Sequence, residues 1–225
     1  MKRSFEKASE TGNAIVWILL AVFFFAGLGY VMSQGSRTST SGLSNEKIAT
    51  YARQIISYGN ELKQSVKRLS LGGIGASEIS FENPVVGTYA NANCTQESCK
   101  VFSAVGGGLN WIAPSAGLND GTQWLYTTNQ IPGVGLGTDS EIIALLQNID
   151  LDICNKINDL AGFGPVGGPP PQESDIIDLT PFTGTYGAVL MDDGTYFSGA
   201  LQGCFEGGGT PAGGTYHYFK VLLSR

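Results

Sequence analysis

NAIVWILLAVFFFAGLGYVM, residues Asn13–Met32, is the stretch whose reading decides what the rest of the chain can be. From Ala14 to Met32 it runs nineteen residues without a charge, nearly all of them apolar. At 1.5 Å per residue a helix of that length covers roughly 28 Å, close to the hydrocarbon thickness of a bilayer. Lipid offers the backbone no hydrogen-bond partners, so the expectation is a single spanning helix. A cleaved secretory signal is the competing reading, with Val31-Met32-Ser33 as a weak cut site. Signal cores run only about 7–15 apolar residues, and this one is longer, which favours an anchor. Lys2, Arg3 and Lys7 precede the run, and only Arg37 and Lys47 follow closely. That bias places the amino terminus in the cytoplasm and the carboxy-terminal body across the membrane.

The composition agrees with an exported body. Glycine supplies 32 of 225 residues, about twice its ordinary share, and only 14% of residues are charged. Residues 71–225 carry four basic against fifteen acidic side chains, a surface that repels phosphate backbones, so no nucleic acid is expected as a partner. The chain divides into a leader over 1–12, a span over 13–32, a Ser/Thr/Gly linker over 33–43, an amphipathic helix over 44–71 and a glycine-rich α+β domain over 72–225.

Ile48, Ala52, Ile55, Gly59, Leu62, Val66 and Leu69 recur at alternating spacings of four and three, an apolar seam held for three heptads. A helix laid on its own sheet is preferred to a coiled coil. Gly72-Gly73 stops it. Residues 74–131 read as strands and turns, with Gln123–Ile131 the clearest strand. Thr138-Asp139-Ser140-Glu141 reads as a capping box opening a second helix, whose face is Ile142, Leu146, Ile149, Ile153, Ile157 and Leu160. GPVGGPPPQ (164–172) is irregular. Tyr186–Met191, the turn Asp192-Asp193-Gly194 and Tyr196–Leu201 read as a hairpin, and Thr215–Leu223 as a final strand set into the sheet.

At this point the layout resembles a family. A short charged leader ends in glycine, an apolar helix and an amphipathic helix follow, and a cysteine-bearing β-rich domain completes the chain. That is the plan of type IV pilins and type II secretion pseudopilins. GNAIVWILLAVFFFAGLGYVMSQGSR, ISFENP and GCFE…YHYFKVLLSR are similar to a group of bacterial pilin-like membrane proteins. The resemblance implies a long amino-terminal helix packed on an antiparallel sheet. It also implies a prepilin peptidase cut between Gly12 and Asn13 with methylation of the new terminus. Its partners would be membrane lipid and like subunits, packed where Gly27 and Gly29 permit close approach. Two positions depart from the pattern: Asn13 stands where phenylalanine or methionine is usual, and Trp17 where the fifth mature residue is a glutamate. A minor or initiating subunit at the bacterial inner membrane fits better than a repeating shaft.

Four cysteines outside the cytoplasm suggest two disulfides, with three possible pairings. Cys94–Cys99 across a short turn and Cys154–Cys204 are expected. No catalytic constellation, cofactor or metal site is expected. His217 is the only histidine and reads as a sheet-surface residue, so Cys94-x4-Cys99 lacks a zinc partner. Asp150 and Asp152, or Asp192 and Asp193, are the acids a calcium ion would use, and they read more simply as helix and turn residues. Gly133-Val134-Gly135-Leu136-Gly137 could cradle a phosphate, but Asp139 and Glu141 beside it would repel one. It reads as a turn into the second helix.

Overall fold

The structure is a computed structural model that describes residues 16–23, 44–136 and 139–225. The chain divides into two units, Met1–Asn45 and Glu46–Arg225. In the first, residues 16–23 are helical (α1) with exposed side chains, Trp17 and Phe23 among them. Most of the expected span, the Gly12-Asn13 cut, Gly27, Gly29 and the linker lie outside the described residues. No helix among the described residues is long and apolar enough to cross a membrane.

Helix α2 (Asn45–Leu71) has Glu46 in its first turn and Arg68 in its last, charges that complement the helix dipole. All seven residues of the seam are buried, joined by Tyr58 and Ser65. Gly73, at φ +86°, reverses the chain so that Ile74 N–H closes onto Leu69 C=O at 3.1 Å.

The second unit is α+β. Its sheet runs β1-β2-β5-β4-β3 with β1 Leu125–Asn129, β2 Glu141–Ile149, β3 Gln172–Glu173, β4 Gln202–Gly207 and β5 Tyr216–Leu223. Every pairing is antiparallel except β3 with β4. The last strand of the chain is thus the middle strand of the sheet, as its aromatic and β-branched run led us to expect.

Strand alternation sorts the core into two layers. Trp124, Tyr126, Leu146 and Tyr218 face α2. There Tyr58 meets Trp124 at 5.3 Å, Trp124 meets Tyr218 edge-on at 6.1 Å, and Phe81 stacks on Tyr126 at 4.4 Å. Ile143, Leu145, Phe205, Phe219 and Val221 point the other way, onto Ile131, Phe163, Met191 and Phe197 from the connecting segments. The α2 seam is therefore covered by its own domain. Gly59 lies at the closest approach, where a Cβ would sit 2.7 Å from Tyr218 Oη.

Three sequence expectations are corrected. Glu141–Ile149 is a strand, and the helix begins only at α3, Leu151–Ala161, where the Asp150 carboxylate accepts from Asp152 N–H at 2.9 Å. EIIALLQNI is apolar on both parities because both of its faces are covered, and such a run fits a helical period and a strand period alike. Nor do Tyr186–Met191 and Tyr196–Leu201 pair. Gln130 N–H bonds Val189 C=O at 2.7 Å, Met191 N–H bonds Gln130 C=O at 2.9 Å, and 193–199 are bends and turns. The true hairpin is β4–β5. Between residues 74 and 124 the backbone forms 3₁₀ turns at Ala76–Glu78, Gly87–Tyr89 and Glu97–Cys99, and the extended segments meet only in the bridge Ser80–Lys100.

Both expected disulfides are present, Cys94–Cys99 and Cys154–Cys204. The second joins α3 to β4 across 50 residues with both cysteines fully buried.

Two outcomes follow from this packing. Gly59→Ala should destabilise the domain by roughly 1–2 kcal/mol in denaturant unfolding despite the better helix propensity of alanine. Tyr218→Phe, which removes the obstructing oxygen, should recover most of that loss in the double variant, and an additive pair would refute the contact. Replacing Cys154 and Cys204 by alanine should cost on the order of 4 kcal/mol, about twice the cost of losing the short Cys94–Cys99 loop. Comparing the midpoints of the two double variants tests that ranking.

Candidate functional site

The most unusual chemistry in the domain lies where α2, β5 and the end of α3 meet. Lys220 is on β5, directly opposite Ala144 on β2 and Gln202 on β4. Its flanking positions of the same parity, Tyr218 and Leu222, are core residues, so the lysine is drawn into the α2-facing layer and is only 6% exposed. Its ammonium donates to Asn60 Oδ1 and to Gln202 Oε1, each at 2.8 Å. No carboxylate lies within ion-pair distance of it among the described residues. Burial, and then the charge of Lys63 one helical turn beyond Gly59, lower its pKa to about 8.

Around this pair opens a cleft of about 500 Å³. The end of α3 forms one wall, where Gly162 at φ +69° turns the chain out of the helix and Phe163 plugs into the sheet. The Asn158 side chain holds that end in place, pairing with both the N–H and the C=O of Cys204 on the free edge of β4. Thr195–Leu201 form the other wall, with Thr195, Tyr196 and Ser198 exposed at the mouth. No aspartate or glutamate lines the cleft.

The residues singled out from sequence are scattered by comparison. Asp150 caps α3 and Asp152 lies in its first turn. Asp193 joins Glu173 and Asp175, one carboxylate oxygen from each lying within 4.8 Å of the others. Those oxygens already serve the turn: Glu173 accepts from Asp175 N–H at 3.2 Å and from Asp193 N–H at 3.3 Å, and Asp193 accepts from the Ser174 amide and hydroxyl. Gly133 and Gly135 form a turn that leads into strand β2 rather than a helix, and Leu136 N–H bonds Arg225 C=O at 2.6 Å. Gly137 and Thr138 lie outside the described residues.

Glu141 and His217, read from the sequence as a capping and a sheet-surface residue, are both buried. Glu141, fully buried at the start of β2, accepts from Ile131 N–H at 2.8 Å through one oxygen, and burial raises its pKa. His217 is not on the sheet surface; it is 1% exposed, under Phe205. The Thr215 hydroxyl donates to Ala212 C=O and lies 2.6 Å from His217 Nε2, so Nε2 carries the proton and Nδ1 is a buried atom with no partner. Burial pushes the pKa of His217 down to about 4. The signal for Lys220 and His217 alike was a strand apolar on both parities, whose polar members must share its burial.

Compared with known proteins, the chain matches no family model, no curated protein and no solved structure.

His217 gives the domain a defined pH response. Its folded pKa is below its unfolded value, so its contribution is complete above about pH 6.5 and is lost as the pH falls towards 4. The loss should reach about 2 kcal/mol by pH 5. Urea midpoints of the wild type and His217→Gln, measured from pH 7 to pH 5, isolate this term, because Glu141 and Glu173 titrate with the opposite sign and are common to both proteins. Parallel curves would refute it.

Proposed function

We propose that this chain is a single-pass, membrane-anchored structural subunit of the pilin or pseudopilin type, acting by assembly in a secretion or pilus-type system of a bacterial inner membrane. The observation that carries the reading is the order of its parts. The charge-free run Ala14–Met32 is followed by one long helix docked along a mostly antiparallel sheet, in a domain closed by two disulfides. The apolar run would hold the subunit in the bilayer and pack against neighbours, with Gly27 and Gly29 allowing close approach. Disulfides belong to an oxidising compartment, so the domain would stand on the periplasmic or extracellular side. Trp17, in place of a glutamate, favours a minor or initiating subunit over a repeating one.

The seam of α2 has no free face to offer a coiled coil, because every seam residue is buried in its own domain. Assembly would therefore be carried by the membrane segment and by the outer surface of the domain.

The test is expression of the full chain in a bacterium with a prepilin peptidase, with a photo-crosslinking residue in place of Val22. The expected result is a membrane fraction resistant to carbonate extraction, an intact mass beginning at Asn13, and crosslinks to pilin-like subunits. An uncut Met1 with no protein crosslinks would replace this reading with a tethered envelope domain that has no filament role. Release by carbonate would refute the anchor itself.

A further inference from the structure

Lys220 and Lys63 present a problem that the protein alone does not solve. A buried ammonium is ordinarily paired with a carboxylate, because amide oxygens alone recover only part of its lost hydration. Lys220 has two amide oxygens, those of Asn60 and Gln202, and its third N–H has no acceptor among the described residues. Lys63, half-buried in the same cleft, has no ion-pair partner there either. Two like charges thus share one wall of a cavity in a domain that is otherwise rich in acids. The exposed carbonyl end of α3 supplies the opposite sign, but a helix terminus is equivalent to only about half an elementary charge. The excess in the cleft remains positive by more than one charge.

We propose that this cleft binds a small oxyanion of the phosphate or carboxylate class, its oxygens held between Lys220 Nζ and Lys63, with the hydroxyls of Thr195, Tyr196 and Ser198 at the mouth. A volume of about 500 Å³ exceeds that of a bare phosphate and leaves room for an attached organic group of modest size. Bound charge also explains how the middle strand tolerates a lysine: the anion completes the ion pair that the fold leaves open. The proposal is independent of the assembly reading and holds for a tethered domain as well.

Calorimetric titration of the purified full chain in detergent, with sodium phosphate and separately with sodium succinate against a sodium chloride control, tests it. The expected result is saturable uptake of at least one of the two, with a Kd of about 1 mM or tighter, weakened about tenfold or more in Lys63→Gln. Lys63 is half-buried on a helix, so Lys63→Gln keeps the test readable if Lys220→Met fails to fold. Repeating the phosphate titration with phosphatidylglycerol in the micelle assigns the source. Competition that Lys63→Gln removes places a lipid phosphate in the cleft, unchanged uptake places a free anion there, and both uphold the site. Absence of saturable uptake by folded wild type, or equal affinity in wild type and Lys63→Gln, would overturn it.

Discussion

Strand β5 lies third of five in the sheet and is covered on both faces, and the rest of the domain answers to that constraint. From His217 to Leu222 every side chain is buried, whichever way it points. One parity needs a helix above it and the other needs a second layer below. The α2 seam meets the first need, and Gly59 lets the helix axis come down onto Tyr218. Among the described residues no second long helix covers the other face. Phe163, Ile177, Met191 and Phe197 cover it instead, each arriving from a different connecting segment.

A layer made of loops has to be tied down, since loop backbone brings polar groups that need partners and has no ladder of its own. The chain does this locally. Asn129 exchanges hydrogen bonds with Asp178 through both ends of its amide, Asn158 does the same with Cys204, and Asn91 donates to Ser77 and Ile79 carbonyls. Asparagine carries a donor and an acceptor on one short side chain, so it can imitate a backbone neighbour where no strand is present. The Cys154–Cys204 bond acts at the same edge, closing a 50-residue separation and so lowering the entropy of the unfolded chain.

How much of this was legible in the sequence depended on whether one segment carried its own signal. The α2 seam, its glycine stop and the final strand were readable because periodicity or turn chemistry pointed to one answer, whereas cysteine arithmetic gave two disulfides and left three pairings open. Glu141–Ile149 was not, because burial on both faces removes the alternation that distinguishes a strand. Where a turn was expected at Asp192-Asp193-Gly194 the chain only bends, at Asp193 and Gly194, and turn chemistry in any case does not say that flanks pair; tertiary hydrogen bonds to Gln130 take one flank away. The Lys63–Lys220 cleft joins residues 157 positions apart, and no spacing rule reaches across that distance. Its sole local trace is a lysine between Tyr218 and Leu222 on one parity of a strand.

The same two-sided burial bears on how such a subunit would act with others. A helix whose seam is buried over three heptads in its own domain has no apolar stripe left with which to recognise a neighbour. Under the proposed assembly role, recognition between copies would have to come from elsewhere, and the chain has two contrasting resources for it. One is the charge-free run ahead of residue 33, which, if it lies in lipid, would select partners by shape and small residues rather than by hydrophobicity. The other is the domain surface, where the exposed basic residues of α2 and the Lys63–Lys220 cleft stand beside the acidic remainder of the domain. Acidic surfaces repel each other at close range, so an anion that fills the cleft would add to that repulsion, while an empty cleft would leave a positive point for a neighbour's carboxylate. Were such domains to associate, filling the proposed Lys63–Lys220 site would change the charge that a neighbour meets there.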